Sequence, residues 1–242
     1  MPEIYVGTSG WYYSDWEEIF YPKNLPVHKR LSYYSEHFNT VEVNATFYRR
    51  FKDSTYQNWY RVTPEGFLFV CKAPKIITHR KFLKETENDI KDFTLSASLL
   101  KEKLGLILLQ LAPNMPYNIE LLRKVIVLFK NTCNVAIEFR NSKWINNEVK
   151  ECLSELNTPF CNADSPKSRF IDWVTSDILY FRFHGRKDWY FYNYSQEELD
   201  EAAIFIKNQI SEKTKRVFIF FNNDVGGNAI QNALYIGSKI KS

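Results

Sequence analysis

Glu42, Lys72, Glu138 and His184 carry the side chains of general acids, bases and nucleophiles, and each stands at or near the end of a short apolar run. Asn44, Gln110, Arg140, Asp164, Arg182, Asn222 and Asn223 occupy similar positions. Acid/base work across one bond needs paired groups, so Glu42 and Glu138 form a candidate carboxylate pair. Lys72 can condense with a carbonyl, but two nearby carboxylates would hold it protonated and favour a role as charge partner. Glu42, Glu138, Asp164 and His184 have the donor types of a metal site. Lys72, Arg140 and Arg182 are interleaved with them and oppose a divalent ion, so no cofactor is expected and a metal is the lesser alternative. With His184 neutral, the three carboxylates and three cations cancel. A buried set of that kind gains little over apolar packing, because desolvation offsets the attraction. The pattern therefore points to a site rather than a plug. On this reading Glu138→Gln removes binding or turnover and leaves the melting temperature nearly unchanged.

These residues need elements that bring them together. Eight β-rich runs recur: Ile4–Thr8, Thr40–Asn44, Phe67–Lys72, Leu104–Gln110, Val135–Arg140, Pro159–Asp164, Ile178–His184 and Val217–Asn222. Most lead into a stretch of helical period, such as Ile145, Val149, Cys152, Leu153 and Leu156 after the fifth run. Ser195-Gln-Glu-Glu198 after the seventh is a capping-box pattern. Ser165–Ser176, after the sixth, hardly holds a helix. Eight βα units in 242 residues predict a (β/α)8 barrel, one domain over residues 1–242, since no Pro-, Gly- or Ser-rich linker divides the chain. An open doubly wound sheet is disfavoured because the first turn lacks the G-x-G-x-x-G spacing.

Neighbouring side chains on a strand face opposite ways. Val41 and Val43 oppose Glu42 and Asn44; Val135, Ile137 and Phe139 oppose Glu138 and Arg140; Leu179, Phe181 and Phe183 oppose Tyr180, Arg182 and His184. The apolar face must meet the outer helices, so the polar residues, with Lys72, Gln110, Asn162, Asp164 and Asn222, are expected inside, at the C-terminal mouth where this fold builds its sites.

The separated motifs also resemble a known family. Gly7-Thr-Ser-Gly-Trp11, Phe38-Asn-Thr-Val-Glu42-Val-Asn44, Thr46-Phe-Tyr-Arg49, Lys72-Ala-Pro74 with Thr78-His79, Glu138-Phe-Arg140 with Trp144, Arg182-Phe-His-Gly185 and Phe221-Asn-Asn-Asp224 with Gly227 resemble the YecE-like family, TIM barrels named as a domain of unknown function. The likeness covers nearly the whole chain. Ala112, Asn141 and Lys143 depart from the family's pattern. The resemblance implies a barrel and a pocket but no reaction.

Composition narrows the partners. Net charge is +4, too little to argue for nucleic acid by itself, and aromatics reach 17%. Trp11, Tyr13, Trp16, Tyr48, Trp144, Trp189 and Tyr190 fall in loops where they would suit a sugar or base, or pack the rim. Cys71, Cys133, Cys152 and Cys161 form no metal spacing, and no leader or membrane span is seen, so reduced thiols and a cytoplasmic location are expected. No membrane partner is expected. The oligomeric state is open.

Three functions follow: an enzyme acting on a small anionic or polyhydroxylated compound with carboxylate acid/base chemistry, a nucleic-acid enzyme or binder, or a ligand-binding barrel without catalysis. A deep pocket favours the first, a basic stripe the second, mutually satisfied polar groups the third. Gly226-Gly227 precedes the last helix, so an anion is expected there, clamped by Arg182 and Arg186.

Overall fold

The computed structural model describes residues 1–241. Eight parallel strands appear where the β-rich runs stand: β1 Glu3–Thr8, β2 Thr40–Val43, β3 Leu68–Lys72, β4 Leu104–Gln110, β5 Val135–Glu138, β6 Cys161–Asp164, β7 Ile178–Phe183 and β8 Arg216–Phe221. They form two four-stranded sheets, β1-β8-β7-β6 and β2-β3-β4-β5. Single parallel bridges join the sheets at both seams, Ser9 with Glu42 and Ile137 with Phe160. Gly7 allows the first seam, because a Cβ there would lie 2.2 Å from the Thr40 carbonyl oxygen. This is the TIM-barrel-like α/β arrangement that the repeat count predicts.

The helices are α1 Arg30–His37, α2 Ala45–Tyr48, α3 Asp53–Val62, α4 Glu87–Ala97, α5 Ile119–Lys130, α6 Asn147–Glu155, α7 Gln196–Gln209 and α8 Asn228–Lys241. Ser195 and Glu198 make the expected capping box at the start of α7. No described helix lies between β6 and β7, where helical period was lacking. No described helix is long and apolar enough to cross a membrane. The four thiols are free; Cys71, Cys152 and Cys161 are buried.

Strand parity sorts the core into two clusters. Val41, Val43, Phe69, Cys71, Ile107, Leu109, Ile137, Phe181, Phe183 and Phe221 pack outward with helix residues such as Leu122, Ile206 and Ile236. Leu68, Val70, Leu106, Leu108, Ala136, Tyr180, Phe218 and Phe220 fill the barrel interior. The interior apolar layer lies below the strand ends, so the polar positions gather at the C-terminal mouth.

The sixth strand breaks the parity expectation. Asp164 pairs in register with Phe183, and Asn162 with Phe181, so both share the outward face. The reason lies in the missing helix. A loop, not a helix, covers the outside of β6; its Phe170 packs on Phe181 and Phe183, while its open backbone lets Asn162 bind both the N–H and the carbonyl of Ile171. Polar side chains can therefore face outward here without losing partners.

Candidate functional site

Glu42, one residue before the end of β2, and Glu138, at the end of β5, lie inside the barrel and are fully buried. Arg182, on β7, lies between them. Its Nη2 donates to Glu42 Oε1 at 2.7 Å, and its Nη1 donates to Glu138 Oε2. Tyr180 Oη and Ser9 Oγ donate to Glu42 at 2.6 Å each. Glu138 also meets Arg140 Nε at 2.5 Å, an ionic approach not aligned as a hydrogen bond. Burial by itself would raise the Glu138 carboxyl, but Arg140 and then Arg182 outweigh it and hold it well below the usual carboxylate range. Glu138 is therefore ionised near neutral pH and a poor proton donor there.

His184 follows β7. Burial, reinforced by Arg182 and Arg140, holds its imidazole well below the ordinary value, so it is neutral. Arg140 Nη2 lies 3.0 Å from Nε2, and Asn222 Nδ2 lies 2.9 Å from Nδ1. The Arg140 guanidinium can only donate, so Nε2 must accept, which an imidazolium cannot do. Trp189 covers this corner, with the Arg140 guanidinium over its ring and His184 beside it.

Lys72 ends β3 and is treated differently from the other cations. Its Nζ donates to the neutral Gln110 amide at 2.9 Å and sits 4.5 Å from the centre of the Phe47 ring. It forms no ion pair with a carboxylate among the described residues. Burial, then Arg182, lower its ammonium to about 8. Its partner Gln110 lines a cavity of about 690 Å³, together with Arg140, His79, Trp189 and the β6 loop carrying Arg169. A cleft of about 680 Å³ at the opposite end of the barrel is edged by exposed pairs such as Arg216–Glu3 and Lys215–Asp177, and holds no buried strand-end cluster.

The structure thus gathers Glu42, Lys72, Gln110, Glu138, Arg140, Arg182, His184 and Asn222 at one mouth. Asn44 opens α2 beside it, and its buried Oδ1 has no hydrogen-bond partner. Asp164 is a correction: it faces outward and pairs with Arg186 Nε at 3.0 Å and Arg169 at 3.3 Å. Removing it from the mouth also corrects the expected charge balance. Two carboxylates, Glu42 and Glu138, now face three cations, Lys72, Arg140 and Arg182. The four residues weighed as metal ligands do not gather, because Arg182 separates the glutamates and Asp164 points away.

The clamp expected at the Gly226-Gly227 turn is a second correction. Gly226 N–H already donates to Asp15 at 2.8 Å. Arg182 serves the two glutamates, and Arg186 serves Asp164 and Glu198. Carboxylates of the chain occupy the donors an anion would need. Gly227, at φ +75°, makes room for Ile19. Asn223 is fully buried and ties the turn to Tyr192 and Asn232 rather than to the cavity. Trp11 packs edge-on against Trp59, and Tyr48 stands exposed on a separate rim pocket with Arg49 and Arg50. Sequence reasoning missed Tyr180 and Ser9 as the groups that hold Glu42; parity places both inside, so their strand positions carried that signal.

The chain matches the family model described as "Protein of unknown function DUF72" over residues 5–242. It is 29% identical to UPF0759 protein YunF of Bacillus subtilis, covering 95% of this chain and 92% of that one. It is 30% identical to UPF0759 protein YecE of Escherichia coli over 45% of this chain and 37% of that one. The solved structure of a DUF72 family protein from Thermotoga maritima superposes with a TM-score of 0.90 at 30% identity, covering 99% of this chain and 100% of the other. The motifs that line the mouth and the fold that carries them agree with these likenesses, and the chain belongs to the DUF72 family.

Proposed function

We propose that the protein is an enzyme for a small anionic compound, bound at the C-terminal mouth with its negative group near Lys72 and Arg140. One observation carries this reading: the mouth holds three cations against two carboxylates, and Lys72 is the cation left without a carboxylate partner. A buried ammonium lacking a counter-ion is costly, and an anionic ligand supplies the missing charge. The cavity is of small-ligand size.

The acid/base role moves from the carboxylates to other groups. Glu138 is held ionised by two arginines, and Glu42 is engaged by three donors. Lys72, lowered to about 8, can exchange a proton near neutral pH, and neutral His184 lies beside Arg140. The Gln110 amide, which lines the same cavity, can donate to a hydroxyl group of the same compound.

Thermal-shift titration with inorganic phosphate, a panel of sugar phosphates and carboxylates, and the matching neutral sugars tests the reading. Anionic members are expected to raise the melting temperature of the wild type and not of Lys72→Met. Equal shifts from neutral sugars, or an undiminished response in the variant, would overturn it.

A further inference from the structure

Lys72 has a chemistry of its own to offer once an anion has arrived. The sequence alone argues against imine chemistry, on the ground that Glu42 and Glu138 would keep Lys72 protonated. The structure removes that ground. Both carboxylates are bound by Arg182, and Glu138 also by Arg140, so neither pairs directly with the lysine, and burial and then Arg182 outweigh their remaining pull on it. The contact that Lys72 does make, to the Gln110 amide oxygen, serves a neutral amine as well as an ammonium. Phe47 shields the other side of the amine.

The position suits a nucleophile. Lys72 is the last residue of β3, rigidly held because Thr46 Oγ1 donates to its backbone carbonyl at 2.7 Å. Its neighbour Gln110 is the last residue of β4 and lines the cavity. Arg140 and His79 line the same cavity. His79 is also held below its ordinary value by burial, then by Lys72, so it adds no competing positive charge near neutral pH. A carbonyl carbon placed at Lys72 would therefore have a fixed cation available for an adjoining carboxylate or phosphate.

We infer that Lys72 is the nucleophile of a covalent step, forming an imine with a small carbonyl compound that also bears a carboxylate or phosphate. This rests on the anion-accepting reading of the mouth. The neutral amine attacks the carbonyl carbon, and the C–O bond is replaced by a C=N bond. The oxygen leaves as water, carrying both hydrogens of the attacking NH2 group, so no oxidant or further reactant is needed. The lowered ammonium value provides a usable fraction of neutral amine near pH 8.

Reductive trapping tests this on the full chain. The protein is incubated with pyruvate or glyoxylate near pH 7.5 and reduced with sodium borohydride, which delivers hydride to the imine carbon and fixes a secondary amine. Peptide mass spectrometry then locates the adduct. Lys72 should be labelled roughly tenfold or more above the other lysines, since its amine is the one lowered to about 8 by burial and Arg182. Glyceraldehyde, a neutral aldehyde, should show less preference. Lys72→Arg keeps the positive charge but cannot form the imine, and should lose the selective adduct while keeping the anion-dependent rise in melting temperature. Label spread evenly over the lysines, an adduct absent at Lys72, or an equal preference for Lys72 with glyceraldehyde overturns the inference. If trapping fails while anions still stabilise the wild type and not Lys72→Met, the imine falls and the binding reading stands. If both fail, both fall.

Discussion

The barrel mouth has two tiers of polar side chains, and they behave in opposite ways. The lower tier is Glu42, Arg182, Tyr180, Ser9 and Glu138, whose charged groups answer one another across the barrel. The upper tier is Lys72, Gln110, Arg140 and His184, where cations meet neutral partners or share one carboxylate. The lower tier resembles a structural plug; the upper tier leaves a charge unanswered and meets the cavity through Gln110 and Arg140. Charge at a strand end is therefore weak evidence for chemistry. Whether that charge has its partner inside the chain separates a positioning group from a reactive one.

The largest effect should come from breaking the lower tier. Glu138→Gln leaves the Arg182 and Arg140 guanidinium groups facing a neutral amide in a buried site, and should destabilise the fold by about 3–5 kcal/mol. The sequence alone predicts almost no change. Chemical denaturation of the variant decides between them, and a loss below about 1 kcal/mol would show the lower tier to be weakly coupled. Glu42→Gln should behave similarly, because Arg182 loses the same kind of partner.

Lys72→Met should do the reverse. It removes a buried ammonium without a counter-ion at the cost of one hydrogen bond, worth about 1 kcal/mol. The variant should be as stable as the wild type or more so, and should have lost anion-dependent stabilisation. If it is destabilised as strongly as Glu138→Gln, the two tiers form one network and the contrast fails.

A pH titration sharpens the same contrast. Lys72 has a folded value of about 8 against an ordinary 10.5. The folded chain thus binds fewer protons at this group than the unfolded chain between those limits, and stability rises with pH across that window. Below about 8 the cost of the charged lysine is fully present; above 10.5 it is gone. The groups facing it, Arg182, Arg140, Glu138, Glu42 and His79, are shared by both chains. The stability of the wild type relative to Lys72→Met should therefore climb from pH 8 to 10.5. A flat difference would show that Lys72 is not lowered.

Much of this architecture is legible in the sequence, and the failures have physical causes. β4 runs over the same residues as its apolar stretch, and the other strands differ from theirs by a residue or two at their ends. Alternation of Val41, Glu42 and Val43, or of Phe181, Arg182 and Phe183, places Glu42 and Arg182 inside because an apolar layer covers their strands. The rule fails at Asp164 because it assumes an outer helix, and β6 has none. Partner choice was not legible at all. Nothing in residue type says that Arg182 rather than Lys72 takes both glutamates; that follows from Arg182 lying across the barrel with a forked guanidinium able to reach two carboxylates at once.

The smallest effect should come from the Gly226 turn, which repeats the logic of the lower tier at the surface. Its φ of +68° suits glycine, and its N–H points at Asp15. Asp224 stands nearby, raised to about 6 by burial and by the Asp15 charge. Asp15→Asn should cost less than about 1 kcal/mol, since the hydrogen bond is exposed and the amide oxygen can still accept. It should also move Asp224 downward, though only in part, because burial is the larger cause. For Asp224 the folded value is the raised one, so its cost is present above about 6 and is relieved as pH falls towards 3.8. Asp15→Asn should flatten that acid-side gain, measured as melting temperature against pH relative to the wild type. Sulfate should not stabilise either chain through this turn, since Asp224 remains to repel it. A sulfate response that survives Lys72→Met and disappears with Gly226→Ala would return the anion to the glycine turn, and the upper tier would lose its claim to be where negative charge is received.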